Sequence, residues 1–122
     1  MAVVCTIKTS IELTGLGKDI SLSESFDVTT AATAATYNYR VLATADTAEL
    51  LDLGDVSTVE LIWIKAVSGA IDIDCDFSSS FDADISIAEG EVHTFKPAGT
   101  VYVKNNGAAE TPSYEYVVVG TT

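Results

Sequence analysis

The sequence contains few of the residues from which catalytic and metal centres are usually built, with one histidine and two cysteines in 122 residues. The cysteines, Cys5 and Cys75, are too few for the disulfide framework of a small secreted domain. We therefore expect two buried free thiols. A disulfide between the first strand and a central strand stays the open alternative, because sequence alone does not exclude the geometry that it needs.

Motifs that assemble an active site are also missing. The sequence has no Cys/His cluster for zinc, no phosphate-binding glycine loop and no GxSxG. No sequence pattern predicts a nucleophile beside the single histidine, His93 in EVHTFKP. A carboxylate pair for glycoside chemistry would be an arbitrary choice from eighteen acidic residues. The sequence predicts a protein that is not an enzyme, with no catalytic residue and no cofactor.

Basic residues are scarce, since six Lys and Arg stand against eighteen Asp and Glu and the formal net charge is −12. This charge repels phosphate backbones and anionic lipids, so we expect no nucleic-acid and no membrane binding. No apolar run approaches the roughly 18 residues of a membrane span, and the N-terminal MAVVCTIKTS does not resemble a signal peptide. We expect synthesis in a cytoplasm and either a basic partner or counter-cations.

Alternation of apolar and polar residues with period two dominates what is present. Hydrophobic residues make up 48% of the chain, enough for a core, and the length predicts one domain over residues 1–122. In residues 20–28 the alternation separates an apolar side from a row of serines, and Glu24 is the lone charge on the apolar side. This pattern predicts a half-buried strand.

Nine alternating runs are separated mostly by turn sequences. The runs occupy residues 3–13, 20–28, 36–44, 59–67, 70–77, 83–88, 91–97, 100–105 and 114–120. Eight or nine short antiparallel strands in this length predict an all-β fold, either a sandwich or a barrel. Residues 46–54 are predicted to form a short helical turn capped by Asp46 or another strand. The Ala/Thr-rich residues 29–37 are predicted to be an extended loop or a strand connection.

Five aspartates within thirteen positions are the candidate metal ligands. They are Asp72, Asp74, Asp76, Asp82 and Asp84. On a strand the first three share one face, so alternation alone explains their spacing. An EF-hand starting at Asp72 fails, because Phe77 occupies the glycine position and Ala83 the glutamate position. We interpret the set as a solvated strand face and predict no metal site, while a looser calcium site across a hairpin through residues 78–80 stays the alternative.

Several short elements of the second half follow one another in a familiar order. They are Leu53-Gly54-Asp55, the strand ending in Ile64-Lys65, Ile85 to Ala88 leading into Gly90-Glu91, Phe95, the turn Pro97 to Gly99, Tyr102, and the closing strand Tyr114 to Val119. In these elements, residues 50–120 resemble small virion structural proteins of tailed bacteriophages. The first fifty residues match no part of that pattern.

The resemblance implies a jelly-roll or related β-sandwich and a role as a capsid cement or decoration protein, at the capsid surface of the virion and as a homotrimer. The implied partner is the major capsid protein or another virion protein. Such a subunit stabilises the shell by bridging capsomers, because the interface that it buries must be lost before the shell opens. Edge strands such as residues 3–13 or 114–120 would pair with a neighbouring subunit.

A non-catalytic carbohydrate- or calcium-binding β-sandwich module of a tail or fibre is the alternative function. Its candidate contacts are Trp63, Tyr37, Tyr39 and the acidic strand face. Trp63 discriminates between the two functions. In VELIWIKAV both faces of the strand carry apolar residues, so the strand is predicted to be buried on both sides, with Trp63 as a core residue rather than a platform for sugar.

Overall fold

A computed structural model describes residues 4–28 and 32–122 of the chain. Its ten strands are β1 Thr6–Leu13, β2 Ile20–Asp27, β3 Ala34–Val41, β4 Glu49–Leu50, β5 Thr58–Ser68, β6 Ile71–Asp74, β7 Ile85–Ile87, β8 Val92–Phe95, β9 Tyr102–Asn105 and β10 Ser113–Thr121. The described residues contain no helix, which confirms the prediction of an all-β fold. In particular, none of them forms a helix with the length and apolar character to cross a membrane.

Eight strands form two four-stranded antiparallel sheets. The front sheet has the strand order β3-β10-β5-β8 and the back sheet has the order β4-β9-β6-β7. Strand β3 pairs with β10, β4 with β9, β5 with β8 and β6 with β7. The chain therefore follows the path of one long hairpin that is rolled up, so that successive strand pairs belong alternately to the front and the back sheet. This rolled hairpin is the jelly-roll arrangement. The predicted jelly-roll-like sandwich is therefore confirmed.

The hydrophobic core fills the space between the two sheets. Alternation turns Tyr116 and Val118 of β10 and Ile62 and Ile64 of β5 inward from the front sheet, and all four are fully buried. The core also includes Leu51, Val56, Ala66, Ile71, Ile73, Ile87, Val101, Val103 and Tyr114. Because burial of one large aliphatic side chain contributes about 1.5–3 kcal/mol, this layer is the main source of stability.

A polar cluster joins the two sheets at one side of the core. Tyr114 Oη donates a hydrogen bond of 3.2 Å to Glu49 Oε1, and Arg40 Nε donates one of 3.1 Å to the same oxygen. Tyr116 Oη donates to the carbonyl oxygen of Asp52 at 2.8 Å. The cluster therefore supplies partners to the buried tyrosine hydroxyls, which would otherwise be costly to remove from water.

Residues 46–54 contain the two-residue strand β4 and no helix, so the strand is the correct one of the two predictions for this segment. Asp46 caps no helix and instead has a positive φ of 60°. Its carboxylate accepts hydrogen bonds from Asn105 Nδ2 at 2.9 Å and from the amide of Ala109 at 3.0 Å. These bonds lower the pKa of Asp46 and attach the β3–β4 connection to the turn that follows β9.

Strands β1 and β2 form a separate antiparallel hairpin, here called the arm (residues 6–27). Ile7, at the base of the arm, is buried beside Trp63 and Val92 on the outer side of the front sheet. Every other residue of the two strands is exposed. The prediction of a half-buried strand over residues 20–28 is therefore wrong. Alternation shows which side chains share a face, but only another element can cover that face.

The Ala/Thr-rich stretch is only partly a connection. Residues 29–31 lie outside the described part of the chain, and β3 already begins at Ala34, so its last four residues belong to a strand. Both cysteines are free, as expected. They are half-buried rather than buried.

Candidate functional site

The first candidate site is the acidic loop, residues 75–84, which connects β6 to β7 at one end of the back sheet. Backbone hydrogen bonds hold it against the turn before β9. The amide of Gly99 donates to the carbonyl of Cys75 at 2.9 Å, and the amide of Phe77 donates to the carbonyl of Thr100 at 3.0 Å. The Phe77 ring also stacks on Tyr102, with 3.9 Å between ring centroids. The loop is therefore anchored at its first turn.

Asp74, the last residue of β6, is 1% exposed and corrects the prediction of a solvated aspartate face. Its carboxylate accepts hydrogen bonds from the amides of Asp76 at 3.1 Å and Asp82 at 2.9 Å. Burial acts to raise the pKa of Asp74, but the hydrogen bonds from Asp82 and Asp76 outweigh it and the pKa is lowered. The loop folds over the carboxylate, which lies near the protein surface yet has almost no contact with water.

Three of the five predicted aspartates converge at this point. Carboxylate oxygens of Asp74, Asp76 and Asp84 lie within 4.8 Å of one another. The pKa of Asp76 is raised, first by a hydrogen bond with Asp74 and then by the negative charge of Asp84. Asp84 Oδ2 accepts a hydrogen bond from the amide of Cys75 at 2.9 Å. The convergence concentrates negative charge on an exposed loop.

The other two aspartates have different partners. Asp72 Oδ1 accepts hydrogen bonds from Ser86 Oγ at 2.7 Å and Asn106 Nδ2 at 2.9 Å, which tie β6 to β7 and to the turn after β9. Asp82 contributes its backbone amide to Asp74, and its carboxylate is not in the cluster. The five residues therefore do not form one ligand set.

The cluster has the oxygen chemistry that a hard cation such as Ca²⁺ prefers, but Ca²⁺ takes about 6–8 oxygen ligands. Three carboxylates would leave much of that shell to water. Hydrogen bonds within the loop already account for the positions of Asp74 and Asp84. Burial and then the charges of Asp84, Asp74 and Asp76 raise the pKa of the neighbouring Cys75 thiol to about 11, so the free thiol is protonated at neutral pH.

A depression of about 400 Å³ between the sheets is lined by apolar and hydroxyl side chains, including Leu50, Leu53 and Val101, and by no titratable side chain. His93 lies in β8 opposite Ile64, with its ring 5.9 Å from that of Phe95. The geometry offers a packing role for His93.

The second candidate site is the outer side of the front sheet, which carries the aromatic residues named from the sequence. Tyr37 and Tyr39 of β3 are 61% and 54% exposed. Trp63 is partly covered, since the base of the arm lies beside it, and it points away from the core between the sheets. Both faces of β5 are thus largely covered, as predicted. The prediction that Trp63 is a core residue is wrong, because the arm and not the second sheet covers its side chain.

The structure shows two apolar surfaces whose exposure and extent the sequence did not reveal. The arm face consists of Ile11, Leu13, Ile20, Leu22 and Phe26, which cross-strand pairing places on one side of the hairpin. The sheet face consists of Tyr37, Tyr39, Val41, Trp63 and Val117 on the outer side of the front sheet. Alternation did identify the apolar side of β2, and Glu24 on that side was the only signal that it is open to water.

Comparison with known proteins adds no assignment to these surfaces. No protein-family model matches the chain, and neither the curated proteins nor the solved structures gave a match.

Proposed function

We propose that this protein is a virion structural protein of a tailed bacteriophage, a cement or decoration subunit that binds the capsid surface and bridges capsomers. The observation that supports this most directly is the jelly-roll strand order, an architecture that recurs in viral capsid domains. The resemblance of residues 50–120 to small phage virion proteins points the same way. The major capsid protein is the proposed partner, and a homotrimer is the proposed assembly.

Jelly rolls also serve as lectin and cupin domains, so the fold must be joined to a surface that suits the function. The described part of this chain offers exposed apolar faces and no assembled catalytic cleft. A protein that works by contact needs such faces, because the interface that it buries supplies the binding free energy. The mechanism is mechanical: a shell whose seams are spanned opens only after these contacts are lost.

Charge sets the condition for docking. The chain carries a formal charge of −12, so three copies carry −36. The capsid surface that receives them is expected to be relatively basic, or cations are expected to screen the approach. Binding at low ionic strength should therefore fall as salt is added if a basic surface attracts the protein.

Co-sedimentation with undecorated capsids tests the proposal. The shells are assembled from the major capsid protein of the phage that carries this protein's gene, and already decorated shells are the matched control because their sites are filled. We expect saturable binding to undecorated shells only, and decorated shells that open at a higher temperature. Failure to bind these shells at any ionic strength would overturn the proposal.

A carbohydrate-binding module is the second candidate function, because Tyr37 and Tyr39 are exposed two positions apart on one face of β3. Aromatic side chains with a polar tip suit the apolar face and the hydroxyls of a sugar. Titration with glycans, followed by tyrosine and tryptophan fluorescence, tests it. Saturable binding that Tyr39→Ala abolishes, together with no binding to capsids, would place this function first.

A further inference from the structure

We propose that the arm face of one copy of this chain docks on the sheet face of a second copy. Both faces belong to the described residues and both are apolar; in a single chain the arm face is exposed, as are Tyr37, Tyr39 and Val41 of the sheet face, while Trp63 is partly covered by the base of its own arm. The inference stands on this geometry and does not require the protein to bind capsids. It goes beyond the proposed trimer, because it names the two surfaces that join the copies.

The arm needs a covering partner for a physical reason. An isolated two-stranded hairpin is at best marginally stable in water. Ile11 and Leu22 lie directly opposite each other across the arm and are 62% and 63% exposed, and Phe26 near the base is 52% exposed. The opposite side of the hairpin carries Ser, Thr and charged residues. An amphipathic hairpin of this kind is stabilised when its apolar side alone is covered.

The sheet face matches the arm face in kind and covers most of its length. Tyr37, Tyr39 and Val41 alternate along the outward side of β3 and are all more than half exposed. This row extends about 14 Å, against about 20 Å for the arm face from Ile20 to Phe26. Offered to a second copy, the row gives apolar cover to about two thirds of the arm.

The arm already packs on part of the same outer surface. Ile7 is buried beside Trp63 and Val92, over β5 and β8, while the β3 half of the sheet stays open. An arm from a second copy would continue this layer from β5 toward β3. Both halves of the outer surface would then be covered in the same way, by a hairpin packed on the sheet.

The local charges of the two faces permit the contact. Glu24 is the single charge on the arm side that bears Ile11 and Leu22. On the sheet face, Lys65 lies directly opposite Glu115, whose carboxylate accepts a hydrogen bond of 2.7 Å from the hydroxyl of Tyr37. The sheet face therefore has no net charge in this row, and Glu24 meets an ammonium there as well as a carboxylate.

The test begins with the mass in solution. Light scattering of the full chain after size exclusion is expected to give two or three times the 12.8 kDa of one chain, because arms exchanged between copies close into a symmetric assembly. A strict monomer would overturn the inference. Such a monomer that still bound capsids would also remove the proposed homotrimer but would leave the proposed capsid binding standing, so the two failures are distinguishable.

Two double variants then identify the surfaces. Ile11→Ser with Leu22→Ser removes the centre of the arm face, and Tyr37→Ser with Tyr39→Ser removes that of the sheet face. Each is expected to be monomeric with an unchanged circular dichroism spectrum. The matched control is Ser10→Ala with Ser23→Ala, the adjacent cross-strand pair on the polar side, which should assemble like the original chain.

Mixing the two double variants separates arm-on-sheet docking from other arrangements. The sheet-face variant keeps an intact arm, and the arm-face variant keeps an intact sheet face. A 1:1 complex at the concentration where the original chain is fully assembled supports the inference. If the mixture stays monomeric, or if only one of the two faces proves necessary for assembly, the partner is not a second copy bound in this way, and a capsid surface becomes the occupant to examine.

Discussion

The amide of Asp82 donates a hydrogen bond of 2.9 Å to the buried carboxylate of Asp74, eight residues earlier in the chain. The amide of Asp76 donates to the same carboxylate at 3.1 Å. Asp74→Ala leaves both amides without this acceptor. We expect the free energy of unfolding to fall by about 2–3 kcal/mol, since hydrogen bonds to charged groups contribute about 1.5–3 kcal/mol. Urea unfolding at neutral pH measures the change.

Asp72→Ala is the matched control for Asp74→Ala, because Asp72 lies two residues earlier on the same strand. Its partners are the side chains of Ser86 and Asn106, which can bond to water instead. A loss below about 1 kcal/mol is expected. Equal losses in the two variants would show that Asp74 does not organise the loop.

Acid should remove the contribution of Asp74. Its pKa is lowered in the folded protein, so its stabilisation is present above the ordinary Asp pKa of about 4 and is lost as the pH falls through the lowered value.

The pKa of Asp76 is shifted in the opposite direction to that of Asp74. The pKa of Asp76 is raised because its hydrogen bond with Asp74 favours the protonated carboxyl and the charge of Asp84 repels the ionised one. At a pH above this pKa, the ionised Asp76 therefore destabilises the folded protein. Asp76→Asn should therefore raise the melting temperature at pH 7 and have no effect below about pH 4. Melting curves between pH 3 and 8 measure this, and a constant shift across the range would contradict it.

Removal of divalent cations is expected to change the melting temperature little. The hydrogen bonds that position Asp74 and Asp84 come from amides within the acidic loop, so the loop has its own support. Melting curves with EDTA and with millimolar calcium chloride measure the effect. A calcium-dependent rise of more than about 10 °C, beyond what a weak surface site gives by mass action, would establish the calcium-binding alternative instead.

Glu49→Ala tests the polar cluster that joins the sheets. It removes the acceptor of the buried Tyr114 hydroxyl and of Arg40. We expect the free energy of unfolding to fall by about 1–3 kcal/mol, the cost of leaving a buried polar group without a partner. Glu115→Ala is the control, since it deletes the exposed partner of Tyr37 and should cost less than about 1 kcal/mol. Similar losses in both variants, measured in urea, would contradict a structural role for the cluster.

Local patterns were enough for most of the architecture. Period-two alternation predicted the strands and the residues that share a face in β2 and β5, and turn sequences placed the chain reversals at Gly69 and Gly90, both of which have positive φ. These features could be read from the sequence because side-chain direction along a strand and backbone freedom at glycine depend on nearest neighbours. The same locality explains why the sequence placed Asp72, Asp74 and Asp76 on one strand face but did not predict the cluster of Asp74, Asp76 and Asp84, which depends on the return of the acidic loop.

The sequence by itself determined that the described chain is all-β and which side chains share a face of a strand. Only the tertiary structure decided which of these faces are covered. Asp74 is buried because the acidic loop returns over it at Asp82, and the apolar side of β2 is exposed because the arm lies outside the two-sheet sandwich. The physical reason is the same in both cases: a side chain's direction is set by its own strand, whereas its burial depends on segments distant in sequence, whose positions no local pattern specifies.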